Sequence, residues 1–235
     1  MLPTNNMEPE WGTRAHGTYT VVGRCARTGM LGVAMTTSSM CVGARCAWVA
    51  PFAGAVATQN VTDPRLGQLG LRLLDLGYTA AAVISELTTA GAYPAYRQLA
   101  CVDRDGHSAA WTGEKAMGHH GHQTAQNVAV AGNLLAAPSV LQAMINTFSR
   151  EPNAHLAERL LTALRAGKEA GGEIGRNERS ACIKVYASQP FAFVDLRVDW
   201  DETDPVATLT SLWRRYREQM DAYVVRAIDP PRAPV

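Results

Sequence analysis

The chain has 235 residues, is 47% hydrophobic and 18% charged, and carries a formal net charge of +1, the balance of one soluble domain with a sizeable core. That neutrality, and the lack of a basic cluster with interleaved aromatics, argues against nucleic acid or an anionic membrane surface as a partner. Cys25, Cys41, Cys46, Cys101 and Cys182 are odd in number and lack CxxC spacing, which predicts free thiols in a reducing, cytoplasmic compartment.

In chain order, residues 1–17 are expected to be a flexible leader or propeptide. Pro3, Asn5, Asn6, Pro9 and Gly12 interrupt it, and it has no apolar stretch of the secretory kind. Thr18 to Cys25 and Met30 to Thr37 read as a β-hairpin around Arg27-Thr28-Gly29, and Gly54 to Gln59 as a short buried strand. Leu66, Leu69, Leu73 and Leu76 predict a helix stopped by Gly77; Thr79 caps a second with Ala82, Val83 and Leu87 inward. Gln98 to Asp103 and His107 to Thr112 flank the turn Arg104-Asp105-Gly106, and Gln126 to Ala131 is a further strand.

Val140, Leu141, Met144, Ile145 and Phe148 form the stripe of a third helix. A fourth, with Asn153 as its expected cap, carries Leu156, Leu160 and Leu164 and stops at Gly167. Ala181 to Ala187 and Phe193 to Asp199 are late strands. Asp204 and Pro205 open a single closing helix through Trp213, Tyr216 and Met220, and residues 229–235 are expected to be a disordered tail. Eight strands and five helices in blocks indicate an α+β domain over residues 18–228. Two stacked, mainly antiparallel sheets covered by helices fit that order, and one sheet with helices on one side is the alternative.

The step Gly17-Thr18 stands directly before the first strand. Cleavage there would give Thr18 a hydroxyl and a free α-amine, a nucleophile and base on one residue. Without cleavage Thr18 is an ordinary strand residue. Thr20 shares its face by the period of two, but lacks an amine of its own.

The runs Leu31-Gly32-Val33-Ala34-Met35, Val42-Gly43, Gly54 to Gln59, Arg97-Gln98, Thr112-Gly113 and Ala131-Gly132-Asn133 resemble the DUF1028 family. Leu156 to Leu161, Gly171-Gly172, Ser180-Ala181 and Val194 to Asp199 continue the resemblance in order. It implies an Ntn-hydrolase-like four-layer αββα sandwich whose nucleophile is the first residue of the mature chain, and Thr18 matches that position. Members of the family typically begin Met-Thr, whereas here seventeen residues precede Thr18, so removal of the initiator Met cannot free its amine; either the chain is cut after Gly17, the expectation carried forward, or its start is misplaced, or the site is not an N-terminal nucleophile. The chain also departs from the pattern at Thr37-Ser38-Ser39, where many relatives carry a basic residue, and in the longer segment Glu173 to Arg179.

The function expected is hydrolysis of a small amide or related C–N bond, with no cofactor, in a homo-oligomer. The alternatives are a non-catalytic binding or scaffold protein, and a hydrolase using Thr20 or a cysteine. Asn133 is a candidate oxyanion donor, and Thr58, Gln59 and Asn60 are candidate substrate-orienting groups. Arg97 and Arg197 are candidates for holding a substrate carboxylate, Arg197 having Asp195 and Asp199 nearby as structural partners. His119-His120-Gly121-His122 concentrates metal-ligand types, but neighbours on an extended chain point apart and no metal site is expected.

Overall fold

The computed structural model describes residues 15–234. The first fourteen residues of the expected leader lie outside them. A six-stranded sheet has the order β10-β9-β2-β1-β8-β7: β1 (Thr18–Arg24), β2 (Leu31–Thr37), β7 (His119–Ala125), β8 (Val128–Leu135), β9 (Ser180–Tyr186) and β10 (Val194–Val198). A four-stranded sheet has the order β3-β4-β5-β6: β3 (Ala47–Ala50), β4 (Gly54–Asn60), β5 (Arg97–Asp103) and β6 (Ser108–Thr112). Every paired neighbour runs antiparallel.

Alternation along each strand generates the layers. On β1, Tyr19 and Val21 pack with Leu156, Leu160 and Leu164 of α4 (Leu156–Glu169) and Met144 and Phe148 of α3 (Ser139–Arg150). Val22 turns the other way and meets Val33, Met35, Ala55, Ala57, Ala100 and Val102 between the sheets. Val56, Leu99 and Cys101 face α1 (Pro64–Asp75) and α2 (Ala80–Ala90) through Leu66, Leu74, Val83 and Leu87. This is the expected four-layer αββα sandwich; the two sheets share no paired strand, which excludes the single-sheet alternative.

Four details differ from the sequence reading. β3 was not expected, because Ala47-Trp48-Val49-Ala50 is short and follows a non-repeating segment. β7 was not expected either: as an edge strand with mostly exposed side chains, it has no apolar alternation to reveal it. The cap of α4 is His155, not Asn153; its Nδ1 accepts from Ala157 N at 3.2 Å while its ring stacks 5.2 Å from Trp213. Asn153 lies too far before the first helical amide to cap it. The closing helix divides into α5 (Pro205–Tyr216) and α6 (Met220–Ile228), and Pro230–Arg232 adds a 3-10 turn. Among the described residues, no helix is long and apolar enough to cross a membrane.

Candidate active site

Thr18 and Thr37 are cross-strand partners at the open end of the β1–β2 hairpin. Thr18 has the same parity as Thr20 and Val22, so its side chain points into the gap between the sheets rather than towards the helices. Here that gap opens as a cavity of about 220 Å3 lined by Thr18, His16, Thr37, Ser39, Arg45, Cys46, Gln59 and Asn60 among others.

Within it, Thr18 Oγ1 lies 2.7 Å from Gly17 O and 3.1 Å from Thr37 Oγ1, and its one proton can serve either acceptor. Thr37 Oγ1 donates to Gly17 O at 2.5 Å and accepts from Ser39 N at 3.2 Å. The carbonyl preceding Thr18 is therefore already polarised by a fixed hydroxyl, with the candidate nucleophile on the adjoining residue.

Beneath this carbonyl lies Glu173, 6% exposed. Its Oε1 accepts from Ser38 N at 2.9 Å, and its Oε2 makes no hydrogen bond among the described residues. Burial pushes the carboxyl up to about 8, against the opposing pull of Ser38 and with the Glu178 charge adding to the rise. The nearby Gly17 amide favours the anion without reaching hydrogen-bond geometry, and burial prevails. At neutral pH Glu173 is thus chiefly a protonated acid.

Its loop is set by Gly172, whose φ is +56° and whose missing β-carbon leaves room for Glu178 Oε1. Glu178 in turn accepts from Tyr19 Oη at 2.9 Å and from Lys168 Nζ at 3.3 Å, and so braces the loop against β1 and α4.

Behind the cavity, buried amides tie the sheets together. Thr20 Oγ1 donates to Gln59 Oε1. Gln59 Nε2 donates to Gln98 Oε1 at 2.7 Å, where Asn133 Nδ2 also donates at 3.0 Å. Gln98 Nε2 meets Gly132 O at 2.9 Å and both Gly121 O and Thr112 Oγ1 at 3.0 Å. Thr20 and Asn133, both fully buried, therefore belong to this network and do not line the cavity.

Alternation also separates Thr58 from its neighbours. Its hydroxyl bonds Thr62 Oγ1 at 2.7 Å on the helix side, while Gln59 faces the cavity and Asn60, at φ +66°, turns into it. The Asn60 amide is engaged, donating to Tyr96 O at 2.7 Å and accepting from Met117 N at 3.2 Å.

Arg97 holds backbone, Nη1 donating to Val61 O at 2.6 Å and Nε to Ala92 O at 3.2 Å. Arg197 pairs bidentately with Asp195 at 3.0 and 3.1 Å on β10, away from Thr18. The histidine run is spread along β7, with Nδ1 of His120 against Gly118 O at 2.8 Å and Nδ1 of His122 against Thr112 Oγ1 at 2.9 Å. Cys46, the one cysteine lining the cavity, is buried and its thiol is pushed up to about 11, far from a ready thiolate.

Three site residues escaped the sequence reading. Thr37 had a signal, because the hairpin bounds themselves pair it with Thr18. Glu173 had none, since nothing in a Gly-rich loop announces a buried carboxyl. Arg45 approaches through space: its Nη2 donates to Ser39 Oγ at 2.8 Å, bringing a cation to the Thr37-Ser38-Ser39 segment.

The family described as "Family of unknown function (DUF1028)" matches residues 18–209, from the candidate nucleophile to α5. The chain belongs to this family. Within DUF1028, the crystal structure of protein SPO2555 from Silicibacter pomeroyi is 30% identical and superposes with a TM-score of 0.78, covering 85% of this chain and 89% of that one. Anbu (ancestral beta-subunit) from Yersinia bercovieri is 10% identical, with a TM-score of 0.42 over 87% of this chain and 96% of that one. No curated protein matches the chain.

Proposed function

We propose that the protein is a hydrolase of small amides or related C–N bonds whose nucleophile is Thr18, exposed by cleavage after Gly17. The observation that carries this reading is the cluster at the cavity floor: Thr18 Oγ1 at 2.7 Å from Gly17 O, and Thr37 Oγ1 donating to that oxygen at 2.5 Å.

In the first step the Thr18 hydroxyl adds to the Gly17 carbonyl carbon, and the oxygen that becomes negative is the one Thr37 already holds. Collapse breaks the C–N bond, the nitrogen takes a proton, and an ester joins Gly17 to Thr18 Oγ1. Protonated Glu173, packed beneath Gly17, is the nearby acid suited to support the departing amine. Water then hydrolyses the ester, leaving a Gly17 carboxylate and a free Thr18 amine.

In turnover that amine accepts the hydroxyl proton as Oγ1 attacks a substrate amide. The acyl-enzyme forms as the leaving amine takes the proton, and water releases the acid. The hydroxyl of Thr37 stabilises the oxyanion in both stages. The Thr20 alternative is disfavoured by that hydroxyl's burial against Gln59, and the cysteine alternative by the raised Cys46 thiol.

Intact mass with N-terminal sequencing tests the reading directly. A chain beginning at Thr18, with amide turnover lost in Thr18→Ala, is the expected result. A purified chain that retains Gly17 and turns over no amide supports the binding-protein alternative instead.

A further inference from the structure

The loop between β2 and β3 is built to hold one guanidinium. Cys41 stands in the left-handed region at φ +56°, and the 3-10 turn Val42–Ala44 follows it and ends on Arg45. That reversal brings the Arg45 head back over its own loop. Its Nη1 donates to Met40 O at 2.8 Å and Cys41 O at 3.2 Å, and its Nη2 to Ser39 Oγ at 2.8 Å. The loop is itself clamped to the six-stranded sheet and the segment that follows it. Buried Ser180 donates through Oγ to Ser39 O at 2.8 Å and accepts from Val42 N at 3.1 Å, while Cys41 N donates to Asp199 O at 3.0 Å.

No carboxylate answers this charge among the described residues: none of their ion pairs includes Arg45. Glu173, held by Ser38 N, is chiefly protonated at neutral pH and supplies no counter-charge. The anchors of Arg45 are neutral oxygens, which fix the guanidinium without cancelling its field. A hydroxyl gripped by such a cation becomes a stronger donor to whatever lies beyond it.

Proton accounting gives the next links a direction. Thr37 has one hydroxyl proton, and Gly17 O at 2.5 Å takes it. Ser39 Oγ, 3.3 Å from Thr37 Oγ1, is therefore the donor between the two hydroxyls. With Ser39 N donating at 3.2 Å, both lone pairs of Thr37 Oγ1 are filled, which leaves Gly17 O as the acceptor for the Thr18 proton at 2.7 Å. The donors thus run in one line, from Arg45 to Ser39, from Ser39 to Thr37 and from Thr37 to Gly17 O.

We infer that Arg45 is a positioning residue that polarises the Gly17 carbonyl, acting through the hydroxyls of Ser39 and Thr37. As negative charge grows on Gly17 O, each hydroxyl in the line passes the field of the fixed cation forward, and no proton has to leave its oxygen. The consequence for rate rests on the proposed cleavage; the effect on the carbonyl does not, so the two readings fail separately.

The test has two readouts. In the full chain, cleavage after Gly17, followed by intact mass, is expected to slow about tenfold in Arg45→Gln and in Ser39→Ala, short of the loss expected for the Thr37 hydroxyl itself. Arg45→Lys keeps the charge and should keep part of the rate. Arg45→Gln combined with Thr37→Val should cost less than the product of the two single effects, because the charge acts through Thr37. In the full-length Thr18→Ala chain, which keeps Gly17 in place, the carbonyl carbon resonance of Gly17 in isotope-labelled protein should move upfield in Arg45→Gln and Ser39→Ala, in the same direction as in Thr37→Val. Ser39→Ala leaves the other Arg45 anchors intact and serves if Arg45→Gln does not fold. A Gly17 resonance unmoved in both variants, cleavage at the wild-type rate in both, or fully multiplicative costs with Thr37→Val would overturn the inference. A wild-type chain that stays intact while its Gly17 carbonyl responds to Arg45 would uphold the relay and overturn the proposed cleavage instead.

Discussion

Gly17 rests on Glu173 so closely that a β-carbon at Gly17 would stand 2.5 Å from Glu173 Oε2. The residue before the candidate nucleophile and the buried acid beneath it are therefore matched in shape, and each constrains what the other position tolerates.

Gly17→Ala is expected to displace either the Glu173 carboxyl or the Gly17 carbonyl from the Thr37 hydroxyl. Overpacking of this kind costs about 1–3 kcal/mol. Cleavage after residue 17, followed by mass spectrometry, should slow at least about tenfold. Cleavage at the normal rate would show that the close approach has no bearing on the reaction.

Glu173 should leave a signature in the pH dependence of stability. Its carboxyl is raised from an ordinary 4.5 to about 8, so between those values the folded chain keeps a proton that the unfolded chain has lost. Its stabilising contribution is full below about 4.5 and is lost as pH rises through about 8, with a local slope near 1.4 kcal/mol per pH unit. Glu173→Gln, which cannot ionise, should flatten this stretch of the curve in urea titrations at pH 5 to 9. An unchanged slope would mean that the group ionises in the folded chain much as it does in solution.

Thr37→Val removes the hydroxyl that donates to Gly17 O while keeping the branched shape. Loss of one oxyanion donor typically slows such a step by about 10²–10³-fold. The cleavage time course should reflect that, with the circular dichroism spectrum unchanged, whereas Thr18→Ala should stop cleavage altogether.

Gln98→Leu is expected to destabilise the fold by about 2–4 kcal/mol, because Asn133 Nδ2 and the carbonyls of Gly121 and Gly132 lose their partner in a dry interior. The denaturation midpoint measures this. A change below about 0.5 kcal/mol would mean that the network exchanges partners freely or takes up water.

The block order of strands and helices, and the stripes of α3 and α4, were legible because each element is amphipathic in its own period; on α1 the inward face runs through Leu66, Gly67, Gly70 and Leu74, and Leu76, expected on the stripe, is exposed. The elements that escaped lacked that contrast: β3 is four residues long, and β7 is an edge strand of exposed His, Gln and Thr. Caps were legible where Thr79 and Asp204 do the usual work, and misplaced where an imidazole took the role at His155.

The candidate site divides along the same line. Thr18 was visible as a hydroxyl residue following glycine at a strand start, and its partner Thr37 was implicit in the hairpin. The polar run Thr58-Gln59-Asn60 was visible too, but which of its side chains face Thr18 depends on strand parity and on the positive φ of Asn60.

The sequence by itself determined the local terms: where the amphipathic strands and helices form, and that a Gly-Thr step precedes the first strand, because these rest on neighbours along the chain. Only the tertiary structure decided that Glu173 is buried against Gly17, that Arg45 reaches Ser39, and that Asn133 and Thr20 serve an inter-sheet network. Burial, proton affinity and electric field are set by groups distant in sequence, and only the packed layers bring those groups together.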